Sequence, residues 1–175
     1  MADVLGAVYD FLKTYIVPDV EVVRGWQNRA ALPNASSYVV MTLLNQARHG
    51  TNVDVWDDVR PEVDIDETTN MLVEYEVQVD FCGTDETVVS EWANTCALFG
   101  RYHKYAEFFR QLDLSGLYAD DPRSLPFQDD QQWVVRYSVT LHLSGWIRKT
   151  VVEPAFTAVT WRIENVDVHH PISNN

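Results

Sequence analysis

Apolar and polar residues alternate with the two-residue period of a β-strand in two long stretches of this chain, and cluster at helical spacing in three others. The clearest alternation places Met71, Val73, Tyr75, Val77, Val79 and Phe81 on one face and Glu74, Glu76, Gln78 and Asp80 on the other. This predicts a long strand with one wet face. In a second stretch Trp133, Val135, Tyr137, Val139, Leu141 and Leu143 alternate with Arg136, Ser138, Thr140, His142 and Ser144. Gly145 and Pro154 bracket a predicted reversal, and Phe156 to Val168 returns as another long strand, which gives a long β-hairpin. A straight run from Trp133 to Ile147 would measure roughly 50 Å. Strands of that length bend or project, and a projecting hairpin suits a grip on a neighbour.

The helical stretches are shorter. Val4, Leu5, Val8, Leu12 and Tyr15 share one face of a helix over residues 3–15, which Pro18 stops. Asp85 or Thr84 caps a second helix, with Val88, Val89, Trp92, Ala93, Cys96, Ala97 and Phe99 as its apolar stripe and Gly100 as its stop. Tyr102, Tyr105, Ala106, Phe109 and Leu112 predict a third helix directly after it. Val20 to Arg24 reads as a short strand, Gly25 to Ser36 as a loop, and Ser37 to Gln46 as a strand apolar enough to be covered on both faces. The order predicts an α+β domain: a mixed, mainly antiparallel β-sheet with the N-terminal helix and the central helix pair packed on it, plus the long hairpin.

Three segments lack such periods. Between Thr51 and Asn70 seven acids (Asp54, Asp57, Asp58, Glu62, Asp64, Asp66 and Glu67) accompany one base, Arg60. This predicts an acidic loop over about 51–70, with a short extended piece around Val53 to Trp56. Leu117 to Trp133, reading LYADDPRSLPFQDDQQW, couples a turn to the second alternating stretch. Its Asp side chains bond nearby backbone groups and Pro122 pushes Asp121 away from helix geometry. Ser124 to Phe127 stays extended, with two apolar side chains to dock the loop on a core. His169 to Asn175 reads as a flexible tail.

A chain of 175 residues holds one well-filled core, so residues 1–175 are expected to form a single domain. The net charge of −13 argues against nucleic-acid binding by counterion release, although an acidic wall would let DNA pass without sticking. Cys82 and Cys96 form no C-x-x-C pair, which predicts two buried thiols in a reducing compartment rather than a disulfide framework. The N-terminus lacks the charged region of a secretory signal and no apolar run approaches a membrane span. A protein made in the cytoplasm is expected.

Candidate chemistry is sparse. Glu62, Asp64 and Asp66 alternate as oxygen ligands for Ca²⁺ or Mg²⁺ would, but the Gly and Glu positions of an EF-hand are missing, and a solvated acidic loop, or one facing a channel, is the favoured reading. His169 and His170 beside Asp167 point to opposite faces if extended, which opposes chelation of one ion. His49, His103 and His142 are scattered, and no nucleophile elbow, phosphate loop, dinucleotide fingerprint or H-E-x-x-H motif occurs. No catalytic residue, metal ligand or cofactor is assigned. Ser138, Thr140, His142 and Ser144 make an uncharged strand face, as expected of one that pairs with a partner or lies over another surface, with plain solvent exposure as the alternative, and Trp26 in Gly25-Trp26-Gln27-Asn28 is an aromatic in a loop, either tucked in or an interface anchor.

Several pieces in this order carry a resemblance: Val22-Val23-Arg24-Gly25-Trp26-Gln27-Asn28, Pro33, Tyr38-Val39-Val40-Met41-Thr42, Thr51-Asn52-Val53-Asp54, the end of the Val77 to Gly83 strand, and Leu117 to Trp133. Together they resemble the neck or tail terminator proteins of tailed bacteriophages, over nearly the whole chain. Trp146-Ile147-Arg148-Lys149, after Gly145, departs from the pattern. The resemblance implies a small virion protein, without enzymatic activity, that forms a ring, usually a hexamer. Such a ring caps the tail tube, ends its polymerisation and joins it to the head connector or adaptor, with a tail sheath as a further neighbour and a lumen through which DNA passes unbound. The acids Asp54, Asp57, Asp58, Glu62, Asp64, Asp66 and Glu67 are then expected at the channel or a ring face, and Trp26, Asn28, His142 and Trp146 at subunit contacts. The alternatives are a tail tube or other connector subunit, and a cytosolic metal-dependent enzyme or ligand-binding module.

Overall fold

The computed structural model describes residues 3–25, 36–60, 64–129 and 132–154, with the backbone alone at 56–60, 64–66, 129, 132 and 153–154. Helix α1 (Val4–Tyr15) starts where the Asp3 side chain accepts a hydrogen bond from the Gly6 N–H at 2.9 Å, satisfying one of the donors a helix start leaves free. Arg24 closes on the same carboxylate at 3.0 Å, which ties α1 to strand β1 (Glu21–Arg24). Val4, Ala7, Val8, Phe11 and Leu12 form the buried stripe.

Strands β2 (Ser37–Arg48), β3 (Val53–Arg60) and β4 (Asp64–Gly83) follow. Then come helices α2 (Glu86–Gly100) and α3 (His103–Arg110). Asp85 caps α2 by accepting from the N–H groups of Thr87 and Val88 at 2.9 and 3.3 Å. Strands β5 (Leu114–Ala119), β6 (Arg123–Ser124), β7 (Phe127–Asp129) and β8 (Gln132–Pro154) complete the described chain. The architecture is α+β, with a mixed, mostly antiparallel sheet whose main order is β1-β2-β4-β8-β5. Only β1 and β2 run parallel among the described strands; β3 pairs with β4 beyond the end of β2, and β6 and β7 pair with β8.

The core lies on one face of the sheet. Val73, Tyr75, Val77, Val79 and Phe81 of β4, Val139, Leu141 and Leu143 of β8 and Val39 and Met41 of β2 meet the three helices there. Phe11 is the hub, with the rings of Tyr15, Tyr105, Phe108 and Phe109 at centroid distances from 5.3 to 5.7 Å. Phe11, Tyr105 and Phe109 are buried and each contributes about 1.5–3 kcal/mol by leaving water, while Tyr15 and Phe108 are half-buried at the rim, so the long alternation of β4 is stable because its apolar face has a lid.

Several sequence expectations need correction. The acidic segment is no loop: β3 and β4 form a hairpin with Val53 opposite Asn70, Asp54 opposite Thr69 and Asp57 opposite Asp66. Val53, Val55, Thr68 and Thr69 favour extended backbone, and β8 supplies a ready ladder for β4, so the segment pairs despite its charge. Nor does the chain reverse at Gly145. Strand β8 runs through it to Pro154, because the glycine is a close-packing position: a Cβ there would lie 2.7 Å from Leu114 Cδ2. Gly100 is likewise the last residue of α2 rather than a stop beyond it, and a side chain at that position would collide with Ala119. Strand β5 carries no clear alternation in the sequence. Residues 26–35 of the predicted loop, with Trp26 and Asn28, and the predicted return strand and tail within 155–175 lie outside the described residues.

Candidate functional site

The distinctive feature is a three-stranded arm made by β3, the first half of β4 and the second half of β8. Strand β8 pairs with β4 without a break from Val135 opposite Gly83 to Pro154 opposite Asp64. Strand β2 covers the far edge of β4 only as far as Val73, and β3 takes over from Asn70. Strand β5 leaves β8 at Gly145. Beyond that level Val53, Val55, Trp146, Val151 and Val152 are exposed apolar side chains. The hydroxyls of Thr68 and Thr150, which share one face, hydrogen-bond across the arm at 2.8 Å.

This arm gathers most of the predicted acidic residues. Asp54 is exposed on β3, with Asp57 and Asp58 farther along that strand, while Asp64, Asp66 and Glu67 open β4. Glu62 lies outside the described residues. The bases Arg148 and Lys149 stand on β8 in register with Asn70 and Thr69. Among the described residues no three His, Cys, Asp or Glu side chains converge on a metal-binding position. Trp146 is exposed opposite Leu72 in the arm.

His142 has a different setting. The uncharged strand face on which it lies is not open: Ser138 and His142 are buried, the latter 9% exposed. The Tyr118 ring stacks on the imidazole at 4.2 Å and 15°. Nδ1 faces Glu74 Oε1 at 3.7 Å and Nε2 faces Asp120 Oδ1 at 3.5 Å, while the Tyr105 hydroxyl donates to the His142 carbonyl at 3.3 Å. Tyr118, half exposed, is the ring that meets solvent there. Nothing in the alternation of β8 signals this cover, because it comes from β5.

The segment between β5 and β8 docks along β8 through main-chain bonds, Asp120 N–H to the Thr140 carbonyl at 2.9 Å and Leu125 N–H to the Arg136 carbonyl at 2.8 Å. Asp121 is held by Arg101 at 2.7 Å. Of the two apolar side chains expected to dock this loop, Leu125 is exposed, whereas Phe127 lies 5.9 Å beneath the Arg136 guanidinium. Arg136 in turn faces Asp80 at 3.7 Å, and Gln78 donates to both Asp80 oxygens at 2.9 and 2.8 Å. Asp80, Phe127, Arg136 and Cys82 help line a depression of about 320 Å³ on the face away from the helices. Burial, and next the charge of Asp80, push the Cys82 thiol up to about 11; it is a packing thiol, not a nucleophile.

The exposed apolar side chains and the long ladder of the arm describe a surface suited to contact, while beside it the two buried ring nitrogens of His142 and the buried Arg136 Nε make no hydrogen bond. Among the described residues no helix is long and apolar enough to cross a membrane. No curated protein matches the chain. A family model described as phage neck terminator protein matches residues 3–170, nearly the whole length. That match assigns a structural role in the virion, between the tail and the head connector. The chain therefore belongs to the phage neck terminator family.

Proposed function

We propose that the protein is one subunit of a closed ring, a hexamer, that caps the tail tube, stops its polymerisation and joins it to the head connector while leaving a channel for DNA. The observation that carries this reading is the family match over residues 3–170. The projecting arm supports it, since a long sheet extension with exposed Val53, Val55, Trp146, Val151 and Val152 gives a subunit something to hold its neighbour by. The role is stoichiometric and mechanical, without catalysis or cofactor.

In this reading the arm acids Asp54, Asp57, Asp58, Asp64, Asp66 and Glu67, with Glu62 at the connection between β3 and β4 in sequence, border the channel or a ring face. A chain of −13 can be repeated around a DNA channel only if its carboxylates meet solvent, the lumen or basic neighbours. Trp146 is the favoured contact residue of the arm, with Trp26 and Asn28, which precede β2 in sequence, contributing as well. His142 acts through Tyr118, which covers it. Assembly takes place in the host cytoplasm, and a tail sheath, where one exists, surrounds the joint.

Light scattering over a concentration series, with negative-stain images and with purified tail tubes added, tests the proposal. A closed species of about six subunits, or stoichiometric capping of tube ends, is the expected result. Unlimited polymers would identify a tube subunit instead. Turnover or tight binding of a small ligand, with no association with tails, would overturn the structural reading.

A further inference from the structure

The two flanks of the arm carry opposite charge. The register places Asp54 of β3, Thr69 of β4 and Lys149 of β8 in one row, and Val53, Asn70 and Arg148 in the next. Asp54, Arg148 and Lys149 are all exposed. Asp57 and Asp58 continue the acidic character of β3. Among the described residues β3 pairs with β4 alone, and β8 beyond Gly145 also pairs with β4 alone, so each outer flank of the arm presents ladder groups outward.

We propose that the β8 flank of one arm docks against the β3 flank of the arm of a second copy; this deepens the ring reading and rests on it. A two-fold contact would set β8 against β8, with Arg148 and Lys149 facing their own copies, or β3 against β3, acid against acid, and like charges across strands repel. Arg60 on β3 and Glu153 on β8 reduce each flank's charge but leave β3 net acidic and this part of β8 net basic, so the head-to-tail contact is the one that brings opposite net charges together, and that is the class of contact that generates rings. Direction follows from the sheet. Both β3 and β8 are antiparallel to β4, so they point the same way. Rotation about an axis along the strands keeps that direction, and the flanks of neighbouring copies meet in parallel. In an unstaggered join Asp54 of the next copy comes beside Lys149, while its half-exposed Val55 comes beside Thr150 and adds apolar area next to Val151.

The test uses the full chain as an Asp54→Cys/Lys149→Cys double variant, oxidised after assembly, with both single variants as controls; Cys82 and Cys96 are buried and do not interfere. A ladder of covalent oligomers from the double variant alone is expected. Charge reversal by Arg148→Glu/Lys149→Glu should raise the concentration needed for assembly about ten-fold or more, and Asp54→Lys/Asp57→Lys in the same chain should restore it. A ring that forms equally well in the reversed variant, without a ladder from the double variant, would overturn the arm contact and leave the ring intact. Protection of the thiol introduced at 149 from a bulky maleimide in the monomer would put another part of the chain on that flank and overturn it too. Failure of the wild-type chain to form a ring even on tail tubes would remove the ring reading, and this contact with it.

Discussion

The two halves of the β4–β8 ladder share one unbroken register, from Gly83 opposite Val135 to Asp64 opposite Pro154, yet they are different materials. In the half that begins at Val73 and Gly145, Val73, Tyr75, Val77, Val79, Phe81, Val139, Leu141 and Leu143 are buried under helices. In the arm half no described side chain of β4 is buried, and Val151 and Val152 of β8 are exposed. Backbone hydrogen bonds are the same in both, and each exchanges a bond to water for a bond to protein at a net gain of only about 0.5–1.5 kcal/mol. Burial makes the difference, so the covered half should hold the fold while the arm opens on its own. An element of that kind is suited to being fixed by a neighbour.

Side-chain truncation tests the contrast most severely. Leu141→Ala, at a fully buried position, should cost about 2–5 kcal/mol in urea unfolding. Val152→Ala, at a position 59% exposed, should stay within about 0.5 kcal/mol. Equal losses would erase the distinction between the halves. The covered half also tolerates no added volume where β5 crosses it. A Cβ at Gly116 would lie 2.5 Å from two atoms of the buried Tyr105 ring, so Gly116→Ala should lose about 1–3 kcal/mol through overpacking, partly offset by the lower chain entropy of alanine.

Alkaline pH should act on the covered half. Burial pushes the Cys96 thiol up to about 12 from the ordinary 9.0, so the unfolded chain releases that proton first. A raised folded-state value contributes stability that is complete below 9.0 and declines as pH rises toward 12. Stability measured across that window should therefore fall, and Cys96→Ala should flatten the slope. An unchanged slope would mean that the thiol is not held in the core.

The core half was legible because its residues obey two constraints at once: odd positions of β4 from Val73 to Phe81 are apolar for the lid, and even positions are polar on the opposite face, where Glu74, Glu76 and Gln78 are half-buried and Asp80 is buried beside Gln78 and Arg136. The stripe of α1 and the Asp85 cap were readable for the same reason, since each local preference agrees with the tertiary role. In the arm no face is enclosed, so Thr68, Thr69 and the acids show no hydrophobic period, and strand structure there follows from the extended preference of Val53, Val55, Thr68 and Thr69 together with pairing to β8, neither of which a hydrophobic period announces. Gly145 misleads because a glycine that makes room for Leu114 looks, in one dimension, like a glycine that turns the chain. As for the site, the exposure of Asp54 and Trp146 follows from sequence, whereas the cover over His142 depends on Tyr118 arriving from β5, a strand that the pattern does not announce.

The smallest effect is also the most discriminating. The Thr68–Thr150 hydroxyl pair is exposed in the arm at 2.8 Å, and such a cross-strand bond is worth about 0.2–1 kcal/mol. If the arm opens before the core, Thr150→Val removes this stabilisation from a region already open when the main urea transition occurs. The midpoint for loss of the core should then be unchanged, while amides flanking Thr68 and Thr150 exchange a few-fold faster in native buffer and those near Val77 and Leu141 do not. A shift of the main midpoint, with faster exchange on both sides of Gly145, would show that arm and core unfold as one unit. The arm would then be a rigid extension of the domain, and ring contacts would have to be made by surfaces already set in the monomer.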